Sequence, residues 1–194
     1  MFKLFAFPLV AFLLSALTPA QADWYLDNES SRLSFISTKS GKLSEVHRFL
    51  TLHGQIDSAG KASLRVELDS ASTGIALRDE RLRTLLFDTK RFPHALVNAQ
   101  LDLAPIANLA PGAQLELRLP LTVELHGRKQ AYSAELLATR LDEQRFQVVT
   151  LAPLVLQVED FGLTEGLDVL RKVAGVSTIS WSVPVGAVLI FTAR

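Results

Sequence analysis

Apolar and polar positions alternate along much of this 194-residue chain, with the period of a strand. Leu64, Val66 and Leu68 alternate with Arg65, Glu67 and Asp69. Further on, Leu115, Leu117, Leu119, Leu121, Val123 and Leu125 alternate with Glu116, Arg118, Pro120, Thr122 and Glu124. Successive side chains of a strand point to opposite faces, so these runs predict strands with one dry face and one wet one. His126-Gly127-Arg128 reads as the turn that ends the longer run, with residues 131–139 returning as its hairpin partner. Pro120 has no N–H to give to a ladder, which predicts a bulge or an edge there. The same reading places strands over residues 32–39, 46–57, 95–103, 145–158 and 176–193. Ser58-Ala59-Gly60 is expected to turn, residues 105–112 to form a loop, and Pro184 to Gly186 to bend the last strand.

Two stretches depart from period two. Residues 72–93 carry Arg78, Asp79, Glu80, Arg81 and Arg83 beside Leu82, Leu85 and Leu86 at helical spacing. Leu167, Leu170 and Val173 fall at i, i+3 and i+6, predicting a second helix over residues 164–173. About eight strands joined mostly by short turns favour a closed antiparallel sheet. A 13-residue strand spans about 43 Å at roughly 3.3 Å per residue, which suits a tall barrel. The expected class is all-β, an antiparallel barrel of about eight strands with two short helical inserts.

The first 22 residues read differently. Lys3 precedes an apolar run from Leu4 to Leu17, and Ala20-Gln21-Ala22 offers a small-x-small cleavage site. That is the pattern of a secretory signal peptide, too short to span a bilayer, and it predicts export to a bacterial periplasm. Residues 23–194 then make a single domain. The absence of cysteine excludes a disulfide scaffold and a lipid anchor on that residue type. Of the 20 basic residues only Lys3 lies in the leader, so the remainder is near neutral against 20 acidic residues. A nucleic-acid binder needs a basic surface, and none is expected here.

Motifs for chemistry are scarce. There is no cysteine nucleophile, no Gly-x-Ser-x-Gly elbow and no glycine-rich phosphate loop, so no catalytic residue is expected. Glu159 and Asp160 are adjacent and would face opposite ways on a strand. His47 and His53 share parity with Glu45 on one predicted strand, but six residues span about 20 Å, too far for one ion. All four histidines are therefore expected at the surface, with no metal site and no cofactor.

Several motifs together resemble the YceI-like family of exported, lipocalin-like barrels. Trp24-x-Leu26-Asp27 and Ser31-x-Leu33-x-Phe35 look like its opening strands, and Phe49-x-x-Leu52-x-Gly54 with Ile56 like its second. The most specific part is Leu68-Asp69-x-x-x-Thr73-Gly74 with Arg78-Asp79-Glu80-x-Leu82-Arg83 and Leu86-Phe87-Asp88, closing at Phe92-Pro93. Phe161-Gly162-Leu163 resembles a late motif, and Leu86 stands where members often carry phenylalanine. The resemblance covers essentially the whole chain after the leader. It implies an apolar tunnel holding a long-chain isoprenoid or fatty amphiphile, a frequent homodimer, and no established catalysis.

On that reading Phe35, Leu64, Val66, Leu68, Leu115, Leu117, Leu119 and Trp181 are expected on the cavity wall. Each CH2 moved from water into such a cavity gains about 0.8 kcal/mol. Alternation identifies the dry face without saying whether the barrel is hollow or filled. Arg78 and Arg83 are candidates to meet a head group at the mouth, against a salt-bridge lattice that only fixes the helix. The resulting expectation is a periplasmic, non-enzymatic carrier. The alternatives are a lipid-modifying enzyme in the same barrel and a filled barrel acting through its surface. A membrane-spanning barrel is not expected, because charged helical inserts do not belong in one.

Overall fold

Eight passes of the chain, broken into twelve strands, build the fold that the computed structural model describes over residues 23–194. The leader expected at residues 1–22 lies outside the described residues. The strands are β1 (Trp24–Leu26), β2 (Arg32–Lys39), β3 (Leu43–Phe49), β4 (Leu52–Ile56), β5 (Lys61–Glu67), β6 (Ala71–Ser72), β7 (His94–Gln100) and β8 (Gln114–Leu125). They continue as β9 (Arg128–Arg140), β10 (Arg145–Thr150), β11 (Leu154–Gln157) and β12 (Ser182–Ala193). Short interruptions join β1 to β2, β3 to β4, β5 to β6 and β10 to β11, so each of these pairs is one pass. Every pass then pairs antiparallel with the next, and β12 returns to β1 and β2. The result is an up-and-down closed barrel, the solution that leaves no free sheet edge overall.

The interruptions are where alternation misleads. Residues 46–57 were expected to form one strand, but the ladder breaks at Leu50 and Thr51. Both of their N–H groups donate to the Ser70 hydroxyl, at 3.1 and 3.0 Å. Parity flips across the break: His47 and Phe49 face inward before it, Leu52 and Ile56 after it. His47 and His53 consequently lie on opposite faces. Residues 145–158 likewise split around Pro153, and the last strand begins only at Ser182. It runs through Pro184 and Gly186 without a break, pairing Pro184 with Val155.

Other local expectations agree with the backbone. His126 and Gly127 both adopt positive φ, 51° and 75°, as a two-residue turn between β8 and β9 requires. Pairing of β8 with β7 stops at Leu121, so Pro120 sits where that edge has lost its partner. The expected loop contains one short helix, Ala104–Ala107, whose Ile106 is buried.

Among the described residues three α-helices decorate the barrel, besides short 3-10 turns at Leu68–Ser70 and Val158–Phe161. Helix α1 (Ala76–Arg81) continues into a π-helical turn over Leu82–Phe87 and stops at Asp88, which takes φ 46°. Helix α2 is the short Ala104–Ala107, and α3 is Thr164–Ala174. Gly166 lets α3 approach the π-helical turn closely, since a Cβ there would lie 2.5 Å from the Leu85 carbonyl oxygen.

The outward positions of β8 are Glu116, Arg118, Pro120, Thr122 and Glu124. A charged outside around an apolar inside is the reverse of a lipid-facing barrel. Among the described residues no helix is long and apolar enough to cross a membrane.

Candidate functional site

The inward faces form two sealed ends with a different region between them. At one end Trp24, Ile56, Leu103, Phe146 and Phe191 pack into a buried cluster. At the other, Leu68, Phe87, Val123, Leu125, Val158, Phe161, Leu163 and Leu167 form a second cluster, several of them supplied by the helical inserts. Between the clusters lie the inward residues Leu33, Leu64, Leu117, Leu119 and Leu136, aligned across the passes by register. All five are only half-buried. A filled barrel buries its central layer most deeply, whereas here the ends are sealed and the middle keeps free apolar surface. Ala187, which pairs with Leu33 at this level, is small and itself half-buried.

The expected wall residues distribute unevenly. Phe35, Leu64, Leu115, Leu117 and Leu119 are on the inward face and half-buried. Val66 and Leu68 are fully buried, Leu68 in the cluster beneath the helices. Trp181 is the exception. It precedes β12 and is 48% exposed, in a groove of about 190 Å³ with Leu167, Arg171 and Ile179, so it is a surface residue of the helical end. Its alternating position would have led inward only if the strand had extended that far.

The two arginines also part company. Arg83 lies on the outer side of the helical segment, bonding to Glu80 and the Asp69 carbonyl in a polar groove of about 580 Å³. Arg78 turns instead toward the barrel. Its Nη1 donates to Glu45 Oε2 at 2.9 Å and its Nη2 to the Thr73 carbonyl at 2.7 Å. Glu45 also pairs with Lys39, and the two cations hold its carboxyl below the usual range, the Lys39 bond being the larger influence.

His47 is the residue that sequence reasoning misplaced. It was expected at the surface and is 3% exposed, facing inward beside the Phe35 ring, with ring centroids 5.2 Å apart. Its parity with Glu45 and Phe49 was the available signal, but the break at Leu50 hid which parity was inward. Nε2 is 2.8 Å from the Ser37 hydroxyl, while Nδ1 has no partner. Burial, then the Arg78 charge, push its pKa down, so the ring is held neutral. The inner wall thus carries titratable groups after all. A serine next to a histidine has nucleophile-and-base geometry, yet no acid orients Nδ1 and a depressed pKa makes a weak base.

The remaining histidines are outside. His53 and His94 both approach Glu67, at 3.4 and 2.9 Å, on half-open surface. No group of three or more metal-ligating side chains is assembled among the described residues. Tyr132, inward on β9, stacks on Phe161 at 6.5 Å between centroids. Burial and the nearby Asp160 push its phenol pKa up.

Comparison with known proteins agrees with this geometry. The model of the YceI-like domain matches residues 24–190. A polyisoprenoid binding domain from Saccharophagus degradans, implicated in plant cell wall breakdown, superposes with a TM-score of 0.86 at 37% identity. That match covers 88% of this chain and 98% of the other. BcnA of Burkholderia cenocepacia shares the fold at 14% identity, with a TM-score of 0.65 over 85% of this chain and 98% of its own. No curated protein sequence matches.

Proposed function

On the premise that this chain belongs to the YceI-like domain family, we propose that it carries a long-chain apolar amphiphile inside its barrel. The ligand class is a polyisoprenoid or a fatty-acid-like lipid, and the protein acts on it by binding and shielding, without chemical conversion. The single observation behind this reading is the half-buried apolar middle between two sealed ends. An apolar tail gains about 0.8 kcal/mol per CH2 by filling such a space. The polyisoprenoid binding domain of Saccharophagus degradans, similar over 88% of this chain, supports the isoprenoid alternative in particular. The leader motif supports a periplasmic site of action. Transport, storage and a role under stress are all compatible with a carrier of this kind.

Native mass spectrometry of the chain purified without detergent, followed by organic extraction, tests the proposal. A co-purifying isoprenoid or fatty amphiphile near one per chain is the expected result. An unliganded mass, with no uptake when both lipid classes are offered, overturns it. Replacing Leu117, which is half-buried and inward, by Arg places a charge among the tail contacts and should abolish occupancy while the far-ultraviolet spectrum stays that of a β-barrel.

A further inference from the structure

We propose that His47 and Arg78, with Ser37 behind the imidazole, form a docking point for an uncharged, oxygen-bearing head group, an alcohol or a carbonyl, on the bound chain. This rests on the carrier reading and adds to it the chemistry of the polar end. The first observation is a change of wall polarity at one level. On the inward face of β2, Leu33 and Phe35 give way to Ser37 and Lys39; on β3, Phe49 gives way to His47 and Glu45. The wall therefore has the polarity profile of an amphiphile.

The second observation is a pair of unpartnered polar atoms in that step. His47 Nδ1 and Arg78 Nε are both shut off from solvent and without a hydrogen-bond partner, while the other nitrogens of both side chains are committed. Leaving such groups unpaired is costly, and folded proteins keep few of them. A hydroxyl would accept from Arg78 Nε–H and donate to His47 Nδ1 in the tautomer whose Nε2–H donates to the Ser37 hydroxyl. A carbonyl would accept from both if Nδ1 carries the proton. Neither atom is open to water, so seating the oxygen requires a rotation of Arg78 or of the His47 ring.

Charge decides between a neutral head and an anionic one. The groups facing His47 are Lys39 and Arg78 against Glu45 and Asp79. Asp79 is itself bound by the Thr73 N–H and hydroxyl, at 2.7 and 2.5 Å. Two cations already face two carboxylates, and His47 is neutral. A phosphate or carboxylate buried here would bring a charge that nothing balances, a costly arrangement. A neutral oxygen satisfies the two open atoms without that cost.

Binding of solanesol, solanesyl phosphate and the corresponding hydrocarbon tail, which share one chain, tests the proposal on the detergent-free protein. Solanesol is expected to bind about tenfold more tightly than either of the others, the size of one charge-assisted hydrogen bond. That preference should disappear in Arg78→Met and in His47→Leu, with binding of the hydrocarbon unchanged. His47→Gln, which can still pair with Ser37, guards against a variant that fails to fold and should keep part of the preference. Equal binding of all three lipids overturns the docking point and leaves the carrier standing. Tighter binding of the phosphate, lost in Arg78→Met, overturns the neutral class. No binding of any of the three to the unmodified chain overturns the carrier and the docking point together.

Discussion

The barrel's two ends are sealed by different means. At one, strand residues make most of the seal, with Leu103 added from the loop before α2: Trp24 meets Phe146 edge-on at 4.7 Å, and Phe146 stacks on Phe191 at 5.3 Å. These rings sit on β1, β10 and β12, and β1 and β10 each pair with β12. At the other end, Phe87 comes from the π-helical turn, Phe161 and Leu163 from the turn before α3, and Leu167 from α3. A seal carried by the ladder can open only by breaking the sheet. One carried by inserted segments can shift while the sheet stays whole, because it depends on side-chain packing and few backbone bonds. The polar step at His47 and Arg78 belongs to the second end, next to α1. The difference teaches that one end is held mainly by the sheet and the other by the inserted segments.

The largest expected effect breaks the strand-built end. Phe146→Ala removes a ring that is 1% exposed and touches both other aromatics, and should cost about 3–5 kcal/mol in denaturant unfolding. A cost below about 1 kcal/mol would show that this seal does not support the barrel. Gly166→Val acts on the other end. It forces α3 away from the Leu85 carbonyl and should cost about 1–3 kcal/mol. Amide exchange should then accelerate over residues 82–87 and 164–174 and stay unchanged in β1 and β10. Uniform acceleration would erase the distinction between the ends.

The smallest effect is a dependence on pH. Folding lowers the pKa of His47, so the unfolded chain binds a proton that the folded one resists. Stability from this group is therefore complete above the ordinary histidine value of about 6.5 and declines as pH falls below it, until the depressed folded pKa is reached. Glu45, whose pKa is also lowered, adds a loss in the same direction below the ordinary carboxylate range. Thermal melts between pH 7.5 and 5 should show the decline, and His47→Gln should flatten it. An unaltered slope in the variant would mean that His47 is not the titrating group.

Period-two alternation made much of this architecture readable in the sequence. The charged outside of β8, its inward leucines, the turn at His126-Gly127 and the two larger helical inserts all follow from local patterning. The motifs around Arg78 and Phe87 carried the family. Less legible were the places where a ladder pauses. Leu50 and Thr51 look like any strand residues, and only the Ser70 hydroxyl, brought back by the next pass, turns them into a break. That single break moved His47 inside and His53 outside. Trp181 failed for a related reason, since the last strand starts one residue after it.

The sequence by itself determined which side chains are dry and which are wet, because a strand's alternation is a local property of the backbone. It thereby determined an all-β barrel with an apolar inside. Only the tertiary structure decided that the middle of that inside keeps open surface between sealed ends, since space depends on how passes curve and which small residues meet at one level. It also decided that Arg78 turns inward while Arg83 stays outside. Both lie on one short helical segment: Arg83 pairs with Glu80 three residues away, a local contact, whereas Arg78 meets Glu45, which only the fold brings within reach.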